Sequence, residues 1–177
     1  MVRVPGMTKE QINKFLSLPH IAKLATTNPD GSPQISPVWY YREGNAIMIS
    51  TYKEALKVKN IKRNPTVSVL IDSSNGGLKL KGVLMRGSAN LIDGSECNKI
   101  VKQIYDKYLP TKITRKSKAA AAFKKALTGE NDSSVCIKIT PKTISTWNYC
   151  DIKVKDVLDE SGQAYVTNKI TEILKEK

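Results

Sequence analysis

Between Ser50 and Pro65 the chain gathers groups that suit the binding of a phosphate. Ser50 and Thr51 bring hydroxyls, and Lys53, Lys57, Lys59, Lys62 and Arg63 bring cations against the single acid Glu54. Hydroxyls can donate to phosphate oxygens, a lysine supplies charge, and the unpaired N–H groups at a helix start attract an anion. A solvated helix face has the same composition. The segment is therefore a candidate whose meaning depends on the elements around it.

Those elements can be read outward from it. The apolar run Ala46–Ile49 reads as the end of a strand. Beyond it the period changes from two to about 3.6, with Ala55, Leu56, Val58 and Ile61 available for a buried stripe and Pro65 ending the helix. Upstream, Thr8 and Gln11 form a capping-box pattern for a helix over about 9–18, whose apolar stripe is Ile12, Phe15 and Leu16. A strand over 21–27, the turn Asn28–Gly31, a strand over 33–41 and a second turn over 42–45 lead into the strand at 46–50. Pro33 and Pro37 place the second strand at an edge or bulge, because neither can donate to a ladder.

Downstream, a strand is expected over 66–72, then a loop and a long strand over 78–93. Its Gly82 and Gly87 mark bulges, bends or close backbone approach. A helix over 95–109 presents Ile100, Val101, Ile104, Tyr105 and Tyr108 on one face, and further helices are expected over about 114–127 and 167–176. Strands at 135–139 and 143–147 flank Pro141. Many short strands with a single helix between the third and fourth predict a small closed or split antiparallel barrel over about 20–148. Residues 95–127 would form a helical insertion outside it, and 150–177 a tail, all within one domain spanning 1–177.

Length and composition narrow the class. A chain of 177 residues suits one domain with a substantial core. No window approaches 18 apolar residues and the first ten residues lack a signal-peptide core, so no membrane role and a cytoplasmic setting are expected. Cys97, Cys136 and Cys150 are widely spaced and His20 is the single histidine, so a zinc site lacks ligands and buried free thiols are expected. The net charge of +13 invites nucleic acid. Lysine supplies most of it, however, and base recognition usually draws on arginine and exposed aromatics; nucleic acid is an unlikely partner.

Three ordered blocks, residues 19–26, 28–39 and 49–51 with 57–69, resemble one family: the split-barrel flavin and deazaflavin oxidoreductases, or pyridoxamine 5′-phosphate oxidase-like proteins. The resemblance implies a mainly β fold with peripheral helices, a six-stranded antiparallel split barrel of the FMN-binding type. It implies a homodimer with FMN, or alternatively the deazaflavin coenzyme F-420, at the subunit interface, acting on a small-molecule substrate. Carried over by position, Ser50 and Thr51 would meet the cofactor phosphate and Lys57 matches the family's phosphate-binding lysine, with Lys53, Lys59 and Asn60 as secondary candidates. Ser36, Pro37, Val38 and Trp39 match the segment lying along the ring, and Trp147 would contact the ring from the partner subunit. The arginine and lysine that bracket this segment in pyridoxamine-phosphate oxidases are absent from Ile35–Tyr40, which argues against vitamin B6 oxidation. The SerProValTrp form is more similar to the deazaflavin-dependent branch.

Hydride chemistry would belong to the cofactor, and no side chain needs to act as a nucleophile. His20 reads as structural. Tyr40, Tyr41 and Tyr52 could line a substrate mouth or pack in the barrel, and Lys79, Lys81 and Arg86 could attract an acidic group or face solvent. Two other classes stand beside the oxidoreductase: a barrel that binds FMN or haem without turnover, and a charge-driven nucleic-acid binder.

Overall fold

A computed structural model describes residues 6–74, 80–109 and 133–149, together with Ala119 and Ala122. The elements bounded within the described residues are, in order, α1 (Lys9–Ser17), β1 (Ala22–Thr27), β2 (Pro33–Val38), β3 (Tyr41–Glu43), β4 (Ala46–Tyr52), α2 (Leu56–Arg63), β5 (Thr66–Ser74), β6 (Leu80–Ile92), α3 (Gly94–Tyr108) and β7 (Ser134–Asn148). Of the helix expected over 114–127 only Ala119 and Ala122 are described, both helical. The helix expected over 167–176 and Cys150 lie outside the described residues.

The strands form one antiparallel sheet in the order β2-β1-β5-β6-β7-β4-β3. Its two margins, β2 and β3, are separated in the chain only by Trp39 and Tyr40. Three Cα steps of 3.8 Å span at most about 11 Å, so the sheet must curl until its margins nearly meet. The result is a split barrel. Seven strands appear where six were expected, because the segment 33–41 breaks at Trp39–Tyr40 and passes from one margin to the other.

Register explains the core. Leu24 faces Val69, which faces Met85; Ala22 faces Ile71, which faces Val83; Ile47 faces Ile139, which faces Ala89. Directly opposed residues share a face, so these rows line the inside of the barrel, and all are buried. Each fully buried Leu, Ile, Val or Met contributes about 1.5–3 kcal/mol relative to exposure. The β3–β4 turn has Gly44 at φ 58° and passes through Asn45 from Glu43 to Ala46, as a two-residue hairpin with a glycine in its first central position does.

The helices close the ends and cover one side. Thr8 and Gln11 make the expected capping box, and α1 delivers Phe15 and Leu16 to the core. The Tyr40 hydroxyl donates to the Leu16 carbonyl at 3.0 Å, holding α1 at the Ala22 end of the barrel. At the opposite end of β1, α2 inserts Ile61 and is pinned through Asn60 to Thr26. On the outer face of β4 and β7, α3 packs Cys97, Ile100, Val101 and Ile104 against Met48 and Cys136.

Two expectations are corrected here. Residues 135–139 and 143–147 are not separate strands: β7 runs unbroken through Pro141. A register shift opposite Arg86 and Gly87 absorbs the proline, since Gly87 pairs with Pro141 and Arg86 with Thr143. A Cβ on Gly87 would stand 2.1 Å from the Thr140 carbonyl, so only glycine fits. The second correction concerns thiols. Cys97 and Cys136 are not free: they join in a buried disulfide across a Cα separation of 5.3 Å, tying α3 to β7. Spacing in sequence gave no sign of it, because the two meet only through the packing of a helix on a strand.

Candidate functional site

The hydroxyl-and-lysine segment forms a corner at the end of β4. Ser50 faces Cys136 and Thr51 faces Val135. Successive residues alternate in direction, so Ser50 lies on the face that carries α3 and Thr51 on the barrel side. The chain then turns through Tyr52–Ala55 into α2. Ala55 is the N-cap, extended and with no side-chain hydrogen bond, and the first turn contains no acid. The Val58 N–H donates to the Ala55 carbonyl at 2.9 Å, and the N–H groups of Leu56 and Lys57 have no acceptor among the described residues, the arrangement that favours an anion.

The cations around this corner have different commitments. Lys53 pairs with Asp93 at 2.9 Å, and its backbone N–H donates to the Ser133 carbonyl. That lysine's hydrogen bond, joined by the N–H of Gly94, holds the Asp93 carboxyl below the usual carboxylate range. Lys59 lies 3.6 Å from Glu54 on the surface, where such a pair contributes little. Asn60 is wholly enclosed; its amide donates to Thr26 Oγ1 at 3.1 Å and to Asn28 Oδ1 at 2.9 Å, while Arg63 donates to its Oδ1 and to the Thr27 carbonyl. It fastens α2 to β1 and the β1–β2 turn. Lys57, partly buried in the first turn of α2, enters no ion pair among the described residues.

The ring-side candidates are distributed over the barrel. Ser36 and Val38 oppose Leu24 and Ala22 and so face the barrel side, while Pro37 is exposed on the outer face of β2. Trp39 turns away from the strand and stacks on Tyr108, with centroids 4.7 Å apart and planes 2° from parallel; it meets Tyr105 edge-on at 5.6 Å. Trp147 pairs with Gly82 and lays its indole over it: a Cβ there would be 2.2 Å from the ring. Cys136 and Trp147 occupy opposite stretches of β7, on the order of 35 Å apart along the strand. The fold thus places Ser50, Thr51, Lys53 and Lys57 along one turn from β4 into α2, with Ser50 and Thr51 on opposite faces of the strand, and leaves Trp147 remote from it within a single chain.

His20 stacks on Phe15 at 4.5 Å, and burial followed by the Lys107 cation lowers its pKa, as for a neutral packing residue. Tyr40 is fully buried, Tyr41 packs against the α3 cluster, and Tyr52 is 64% exposed beside the corner. Lys81 is half-buried and Arg86 exposed. Sequence reasoning missed Lys107, whose amine donates to the Leu16 carbonyl at 2.9 Å and lies 3.4 Å from the Tyr40 ring centre. Nothing in its local pattern separates it from the neighbouring solvated lysines.

Comparison with known families gives the assignment. Residues 8–148 match the family model described as pyridoxamine 5′-phosphate oxidase. The chain belongs to that family. Solved structures with the same fold include a conserved hypothetical protein of Mycobacterium tuberculosis, 20% identical with a TM-score of 0.70, the match covering 91% of this chain and 98% of that one. An F-420 reductase is 21% identical at a TM-score of 0.57, over 75% of this chain and 94% of its own. The haem storage protein of Vibrio cholerae is 14% identical at 0.60, over 79% and 96%. Members of one fold thus carry names with different chemistries.

Proposed function

We propose that the chain is a flavin- or deazaflavin-dependent oxidoreductase, a homodimer that transfers hydride between FMN or coenzyme F-420 and a small molecule. The observation that carries this reading is Lys57: a partly buried cation without an ion-pair partner among the described residues, in the first turn of a helix that has no side-chain cap and whose first two N–H groups have no acceptor there. That donor set fits a dianionic phosphate. Ser50, Thr51 and Lys57 would hold it, with Lys53 and Lys59 nearby and Asn60 fixing the helix. Ser36, Pro37, Val38 and Trp39 would border the ring, and Trp147 of the partner subunit would reach it. When bound, the tricyclic ring supplies the hydride chemistry; the chain positions it and excludes water. Tyr52 and Leu56, 64% and 49% exposed in the isolated chain, flank the corner and support its burial against a second copy. A cytoplasmic setting accords with this chemistry, and no helix among the described residues is long and apolar enough to cross a membrane.

Each charge-assisted hydrogen bond from Lys57 is worth about 1.5–3 kcal/mol. Lys57→Ala is therefore expected to weaken cofactor binding about ten- to hundredfold with an unchanged circular dichroism spectrum. Titration with FMN and with the deazaflavin checks it, and wild-type affinity for both would remove the phosphate assignment. Mass spectrometry of the ligand released from native-source protein identifies which cofactor is resident.

A second reading is a barrel that binds FMN or haem without turnover, and the fold shared with a haem storage protein supports it. In this chain the single histidine is stacked on Phe15, so haem would need another axial ligand. Retained cofactor with no turnover across a panel of acceptors favours this reading over the first.

A further inference from the structure

At the other end of β4 lies a cleft of about 660 Å³ between α1, the β3–β4 hairpin and α3. Arg42 from β3 and Lys107 from the last turn of α3 both open onto it, with the side-chain amides of Asn13 and Gln103 beside them. Arg42 pairs with Ile47, and Thr51 lies four residues further along β4, on the order of 13 Å away. The cleft is thus separate from the phosphate corner.

The hydrogen-bond acceptors that hold these two cations are neutral, and the Asp106 carboxylate lines the cleft with them. Arg42 Nη1 donates to Asn13 Oδ1 at 2.7 Å, and its buried Nε has no acceptor among the described residues. The Lys107 amine rests on the Leu16 carbonyl and the Tyr40 ring. A half-buried cation held by neutral partners keeps a desolvation cost that an anion would relieve.

We propose that this cleft binds a small oxyanion, the carboxylate or phosphate group of a metabolite, between Arg42 and Lys107, with Asn13 Nδ2 and Gln103 as neutral donors. Among the described residues the charged and titratable groups around Lys107 are Arg42, Asp106, His20, Tyr40, Tyr41 and Tyr108. Burial draws the Lys107 amine down to about 8, against the carbonyl and ring face that favour its cation. Oxyanion affinity should therefore fall as pH rises through about 8, where the amine loses its charge.

The test uses the full chain. Inorganic phosphate and, separately, succinate are titrated at ionic strength fixed with sodium chloride, in wild type and in Lys57→Ala, which silences the corner. Tryptophan emission reports locally, because Trp39 stacks on Tyr108 next to Lys107. The expected result is a saturable change with at least one probe in both proteins, weaker at pH 9 than at pH 7. Its midpoint should rise at least tenfold in Arg42→Gln and in Lys107→Met, each with native circular dichroism; the more exposed Gln103→Ala serves where Lys107→Met does not fold. The probe that saturates tells carboxylate from phosphate. The proposal is overturned by no saturable change with either probe, by an equal change with chloride alone, or by midpoints that the cleft variants leave unmoved.

Discussion

At the scale of single residues, the decisive ones are those whose neighbours leave no choice. Gly82 has the Trp147 indole where its Cβ would be, so Gly82→Ala must push the ring away or deform β6. A loss of about 1–3 kcal/mol is expected, as for other overpacked sites, with a shift in tryptophan emission. Denaturant midpoints and fluorescence check both; an unchanged pair of readings would mean that Trp147 moves aside without cost. The position was legible in part: an interior glycine in a long strand announces close approach, though not which side chain approaches. Asn60 was legible as a polar residue in a basic helix and, through the family resemblance, as a secondary candidate for the cofactor; its burial was not legible. Its enclosure depends on Thr26 and Asn28, more than thirty residues earlier, and no local pattern encodes that meeting. Lys57 is the reverse case, since its proposed role rests on its having no ion pair among the described residues.

At the scale of elements, boundaries set by local chemistry could be read and those set by packing could not. The capping box of α1, the Asn28–Gly31 turn and the stop of α2 before Pro65 follow from side chains acting within a few residues. The continuation of β7 through Pro141 depends on Gly87 across the sheet, and the seating of α3 depends on a bond between distant cysteines. That bond closes a loop with a sequence separation of 39, worth about 4 kcal/mol at most by loop-closure entropy. Adding a dithiol is expected to lower the thermal midpoint of wild type and not of Cys97→Ser/Cys136→Ser. Thiol counting in denaturant before and after reduction checks the linkage. Two extra reactive thiols before reduction would show the pair unbonded in solution.

At the scale of the molecule, stability should respond to pH in a way the buried cluster at the α1–α3 junction sets. His20 and Lys107 both have lowered pKa values in the fold, Lys107 falling from 10.5 to about 8. A lowered base holds fewer protons folded than unfolded between its two pKa values, so stability rises with pH there. For Lys107 that window runs from about 8 to 10.5. Burial raises Tyr40 and Tyr108, the latter to about 12, so above pH 10 the folded state keeps protons the unfolded chain has lost and stability falls. The thermal midpoint should climb from pH 8 to 10 and drop beyond it, and Lys107→Met should flatten the climb. A midpoint level over that range in wild type, or an equal slope in the variant, would count against the assignment. The family model matches residues 8–148, whereas the resemblance was legible over about residues 9–93 and the barrel over about 20–148, because turns, edge prolines and strand patterns are local signals.

The break between β2 and β3 has one further consequence. A hydrogen-bonded barrel can slip a rung and still be a barrel, but here Trp39 and Tyr40 act as a covalent clasp across the gap. The circumference is therefore written in the length of a dipeptide. Any residue added there would loosen the hoop at the place where the tryptophan turns outward to meet the helix beside it.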